Sequence, residues 1–107
     1  MIQLVEFTTE SGVSPFKKWL ESLDATTHGR VLTSILRLEA GNFSSVKGVG
    51  AGVFEFRMDF GPGYRVYFGK IGNTIVLLLG GGTKKRQQND IAAAQERWRE
   101  FKRKDKS

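Results

Sequence analysis

The sequence predicts an α+β fold: a helical hairpin packed on a mainly antiparallel sheet and closed by a C-terminal helix. Three observations predict it. Apolar residues recur at helical spacing between residues 15 and 40, alternate one by one from 53 to 60, and return to helical spacing after residue 88. The chain has 107 residues, the size of one domain, since domains usually run to about 100–150 residues. It is read as a single domain over 1–107.

The elements follow in order. Residues 2–7 start as a short strand, with Ile2 and Leu4 on one face and Val5 and Phe7 on the other. Ser14-Pro15 opens a helix: Ser can cap free N–H groups, and Pro at the first helical position loses no hydrogen bond. Phe16, Trp19, Leu20 and Leu23 then share one stripe. Asp24 is a second N-cap candidate, for a helix carrying Val31, Leu32, Ile35, Leu36 and Leu38, and Gly41-Asn42 ends it.

The period then drops to two. Phe54, Phe56, Met58 and Phe60 face one way and Glu55, Arg57 and Asp59 the other, as in a half-buried strand with a polar face. Gly61-Pro62-Gly63 turns the chain into a strand over 64–71, where Tyr64, Val66 and Phe68 face the core and Arg65, Tyr67 and Gly69 oppose them. Gly72-Asn73 is a two-residue hairpin turn, and 74–79, apolar on both faces, reads as a central strand. These turns pair Asp59 with Arg65 and Arg57 with Tyr67, and place Arg65 opposite Gly80. A one-residue slip would flip the side chains of one strand. Residues 44–52 have no clear period. A last helix spans about 88–104, with Ile91, Ala94, Trp98 and Phe101 on its apolar stripe.

Composition removes several functions. There is no Cys, which excludes thiolate zinc sites, disulfides and Cys nucleophiles, and one His leaves little for a catalytic triad or a His-rich metal site. No cofactor or metal is expected. No leader segment is visible, and nothing approaches the roughly 20 apolar residues of a membrane span, so a cytoplasmic location is expected. Residues 1–83 hold 8 basic and 7 acidic side chains, and residues 84–107 hold 9 and 4. Most of the +6 net charge therefore lies in the last quarter, which favours polyanions or an acidic partner protein.

Two clusters are candidates for chemistry. The segment Gly80-Gly81-Gly82-Thr83-Lys84-Lys85-Arg86 is Gly-rich and basic without Walker spacing; it could cradle phosphate or merely turn a solvated corner. Arg57, Arg65 and Tyr67 share a strand face that could grip a phosphodiester, because guanidinium forks match phosphate geometry. A cross-strand Asp59–Arg65 pair would instead make that face an ordinary surface. His28, at the start of the second helix, is far in sequence from both clusters.

The pattern Gly-x-Phe-Glu-Phe-Arg-x-Asp-Phe-Gly-Pro-Gly-Tyr-Arg-Val-Tyr-Phe, followed by Leu-Leu-Leu-Gly-Gly-Gly-Thr-Lys-Lys-x-Gln-x-x-Asp-Ile-x-x-Ala, resembles the addiction-module killer proteins. These are HigB-like, phage Gp49-like toxins of the RelE/ParE superfamily. The resemblance spans residues 4–101 and is sharpest at Gly63-Tyr64-Arg65-Val66-Tyr67. It implies a β-α-α-β-β-β-α fold and a toxin held inactive by an antitoxin, usually a small helix-turn-helix protein, with operator DNA bound only through the pair. RelE-like and HigB-like members are endoribonucleases that cut mRNA on the ribosome by metal-free attack of the 2′-OH. ParE-like members instead poison DNA gyrase by binding it. A toxin fold kept only as an inactive partner in an autorepressor complex is a further alternative.

Carried onto this chain, the resemblance makes Arg65 the residue that stabilises the transition-state phosphate. Lys47 and Lys84 become the basic catalytic residues, with Arg57 and Lys85 as phosphate contacts; Tyr67 and Arg86, from the strand face and the basic corner read above, complete the RNA contacts. Nucleolytic relatives often carry a His or Tyr acid/base towards the C-terminus. This chain has neither after Tyr67, which leaves Lys47, Lys84, Glu55 or Asp59 for proton transfer.

Overall fold

The computed structural model describes residues 2–105. Strand β1 (Gln3–Glu6) is followed by helices α1 (Pro15–Glu21) and α2 (Ala25–Glu39). Strands β2 (Val46–Gly48), β3 (Phe54–Met58), β4 (Tyr64–Ile71) and β5 (Ile75–Thr83) come next. A 3-10 turn (Lys84–Arg86) then leads into helix α3 (Gln87–Asp105). The expected α+β architecture holds, with one strand more than anticipated. β2 lies in the stretch without period, and it forms by pairing Val46–Gly48 against β3.

The five strands are ordered β1-β5-β4-β3-β2. β1 runs parallel to β5, and the other pairs are antiparallel. α1 and α2 cover one face, over a core of Phe16, Leu20, Val31, Ile35, Leu38, Phe56, Met58, Val66 and Phe68. α3 covers the other, over Phe7, Val53, Tyr67, Leu77, Leu79, Ala94 and Trp98. β1 divides its side chains as expected, Ile2 and Leu4 to the first core and Val5 and Phe7 to the second. Trp98 lies flat across Gly69, where any side chain would collide with the indole.

Local signals explain the helix ends. The Ser14 hydroxyl accepts from the Lys17 N–H at 3.1 Å, and Pro15 takes the first turn. Asp24 caps α2 through its backbone position, with no side-chain bond. At the other end of α2, Gly41 adopts φ 84°. The Gly41 N–H then reaches Leu38 O and the Asn42 N–H reaches Arg37 O, the Schellman pattern that Gly permits. Of the apolar stripe expected on α2, Val31, Ile35 and Leu38 are buried, whereas Leu32 and Leu36 are exposed.

The expected register is corrected at both hairpins. β3 and β4 pair Met58 with Tyr64 and Arg57 with Arg65, two positions from the anticipated register. Phe60 leaves the ladder because its ring packs on Tyr64 (5.3 Å) and beneath the Arg30 guanidinium (4.0 Å), which lengthens the loop. Between β4 and β5 the turn has three residues, so Ile71 pairs with Ile75. An irregularity at Tyr67/Phe68 adds a second one-residue shift, and Arg65 faces Gly82 instead of Gly80. Each shift totals two, so the face assignments of Arg57, Arg65 and Tyr67 survive.

Candidate functional site

The polar side of β3 and β4 faces α3, and the register gathers it into two rows. Lys47, Glu55, Tyr67 and Gly80 are successive cross-strand neighbours, and Arg57, Arg65 and Gly82 form the next row. Two arginines directly opposite one another repel, as like charges in a cross-strand pair do. A carboxylate or a bound anion must offset them.

Glu55 does so from the adjacent row. It is 1% exposed, and three groups converge on its carboxylate. Arg65 Nε lies 3.6 Å from Oε2, Lys47 Nζ lies 3.8 Å from Oε1, and Gln87 Nε2 donates to Oε2 at 2.8 Å. Arg65, itself 6% exposed, also donates from Nη1 to Gly63 O at 2.7 Å. The expected Asp59–Arg65 pair is therefore replaced. Asp59 pairs instead with Arg57, at 3.4 Å and in solvent.

The remaining predicted residues divide between this cluster and elsewhere. Lys84 starts beside it: a methyl group built on Gly63 would stand 3.0 Å from Arg65 Nη1 and 3.4 Å from Lys84 Cβ. Lys85 is exposed on the same 3-10 turn. Arg86 acts on Asp90, whose carboxyl is raised above its ordinary range by burial, against the pull of Arg86 and Arg97. Tyr67 is corrected from a surface contact to a core residue. α3 covers it completely, its hydroxyl is buried beside Glu55, and burial, aided by Glu55 and Asp90, drives its pKa up. His28 sits on α2, in the helical layer that packs on the opposite face.

Beside Glu55 a groove of about 300 Å³ opens at the β2–β3 edge, lined by Ser44, Ser45, Lys47, Glu55 and Arg57. Its mouth is basic and its floor holds the buried carboxylate. Among the described residues, no three His, Asp or Glu side chains converge to hold a metal ion. Glu55 appeared in the sequence only as one possible proton acceptor. Its role as the hub of the cluster depends on Gln87, 32 residues away, which carries no motif of its own.

Residues 18–99 match the model of a family described as phage-derived protein Gp49-like. The chain belongs to the Gp49-like family. A Haemophilus influenzae protein, described only as uncharacterized, is 41% identical over 81 residues, covering 75% of this chain and 82% of its own length. The Gp49-like family is RelE-like and toxin-like, so membership points to the toxin half of a toxin–antitoxin pair and implies an antitoxin partner. No helix among the described residues of this Gp49-like chain is long and apolar enough to cross a membrane.

Proposed function

We propose that the protein is a toxin that cuts mRNA on the ribosome, using the Lys47–Arg57–Arg65–Lys84 cluster to stabilise the phosphate under attack. The observation that carries this reading is the cross-strand Arg57–Arg65 pair, two guanidiniums in register with the buried Glu55 carboxylate beside them. Arg57, 60% exposed, meets the phosphodiester first. Arg65 reaches it by exchanging its 3.6 Å contact with Glu55 for a phosphate oxygen.

In the reaction, the ribose 2′-oxygen bonds to the adjacent phosphorus and the bond from phosphorus to the 5′-oxygen breaks. The products are a 2′,3′-cyclic phosphate and a 5′-OH end. Asp59, 79% exposed at the end of this face, is the accessible carboxylate to take the 2′-OH proton. Lys47, 68% exposed at the groove mouth, holds a proton for the leaving oxygen. Arg57 and Arg65 stabilise the extra negative charge of the transition state, where one such donor is worth about 2.7–4 kcal/mol.

The test is induced expression in a bacterium, mapping mRNA 5′ ends for wild type and Arg65→Ala. Cuts within translated frames that vanish in the variant are expected. Random cutting of naked RNA by wild type and Arg65→Ala alike would sink the reading. The burial of Glu55 and Tyr67 favours a second reading, a ParE-like toxin that binds DNA gyrase without chemistry. Growth arrest with intact mRNA and inhibited supercoiling would select it.

A further inference from the structure

α2 buries Val31, Ile35 and Leu38 and leaves its other side to solvent. At roughly 100° per residue, that side divides into three strips. Leu32 and Leu36, 43% and 56% exposed, form an apolar strip. Gly29 and Thr33 form the crest, and Arg30 and Arg37, seven residues apart, form a basic strip.

Three features mark this surface. Gly is the poorest helix former after Pro, yet no atom of the described residues lies within 4 Å of where a Gly29 Cβ would stand. A bare crest admits a second backbone at close range. Arg30 and Arg37 lie over the rings of Phe60 and Phe56, at 4.0 and 5.1 Å, and neither is in an ion pair among the described residues. Finally, a shallow concavity of about 490 Å³ runs beside the crest, lined by Ala25, Gly29, Arg30, Thr33 and Phe60.

We propose that the outer face of α2 docks an acidic amphipathic helix of a partner protein. Its backbone crosses Gly29 and Thr33, its apolar stripe covers Leu32 and Leu36, and carboxylates one heptad apart pair with Arg30 and Arg37. Charge selects this occupant. A second copy of the chain would bring the same basic strip and a net charge of +6. The proposal stands apart from the nucleolytic reading, because α2 and the Lys47–Arg57 groove lie on opposite faces of the sheet.

The experiment uses the full chain, isotope-labelled, titrated by NMR with a stapled helical peptide. The peptide carries two Leu four residues apart and, on the adjacent flank, two Glu seven residues apart. Shifts confined to α2 and Phe60 are expected. Leu36→Glu should weaken binding by about tenfold, since it removes most of the apolar contact of one leucine. The double variant Arg30→Glu/Arg37→Glu should transfer preference to the peptide with Lys in place of Glu. A cooperative thermal transition and a native amide spectrum outside α2 and Phe60 check that each variant folds. Shifts on the β2–β3 groove alone, equal binding of the Glu and Lys peptides, or no shifts at millimolar peptide would overturn the proposal. A dimer in sedimentation equilibrium that Leu36→Glu dissolves would also overturn it, giving the face to a second copy.

Discussion

Glu55 is a carboxylate almost without water, and its neighbours decide whether it stabilises the fold. Removing one partner of a buried ion pair leaves the other charge uncompensated, at a cost of about 3–5 kcal/mol. Glu55→Ala should therefore lower the unfolding free energy by about 3 kcal/mol in urea denaturation, by stranding Arg65. Lys47→Ala, at an exposed position, should cost no more than about 1 kcal/mol. Tyr67 sets a pH dependence. Its pKa is raised in the folded chain, so its contribution is intact below its ordinary value of 10.0 and is lost as the pH climbs beyond it. Denaturation curves across that range should show stability falling for the wild type and less so for Tyr67→Phe. Alternation alone put Glu55 and Arg57 on one face. Which arginine Glu55 serves depended on the departure of Phe60 from the ladder, an interaction with Arg30 and Tyr64 that no local pattern announces.

At the scale of elements, the long periodic segments were readable and the short one was not. The stripes of α1 and α3, the capping Ser14 and the terminating Gly41 all follow from local chemistry. β2 does not, because a three-residue Val-Lys-Gly strand has no period and exists through its pairing with β3. The five apolar positions on α2 span too wide an arc to face one core, and periodicity could not say which would be left outside. Gly29 offers a direct test of α2. Gly29→Ala meets no neighbour and should stabilise the chain by about 1 kcal/mol in thermal or urea unfolding. Asp90, near the start of α3, behaves as a penalised carboxylate. Its raised pKa means that stability falls as the pH rises through the ordinary Asp value of 3.8. Asp90→Asn should accordingly stabilise the protein at neutral pH and leave it unchanged in acid.

For the whole molecule, the charge asymmetry read from the sequence is drawn together by folding. The 3-10 turn begins at Lys84, whose Cβ and Arg65 Nη1 both lie against Gly63, so the basic C-terminal quarter starts beside the buried arginine of the sheet. If these cations meet phosphates, binding to a short single-stranded RNA must weaken steeply with salt. Five contacts, from Lys47, Arg57, Arg65, Lys84 and Lys85, give a slope of log K against log salt of about −3.5. Fluorescence anisotropy should find it, and Lys84→Ala should make it shallower by about 0.7. The order of the sheet has a consequence for the nascent chain. Glu6 pairs with Leu78, and the buried carboxylate of Glu55 receives its amide donor from Gln87. The first strand to leave the ribosome thus waits for the last, and the buried carboxylate lacks its amide donor until the start of α3 has been made. A chain interrupted before that point carries every cation of the sheet but not the bond that ties α3 to Glu55, so the cluster is completed only when synthesis is nearly over.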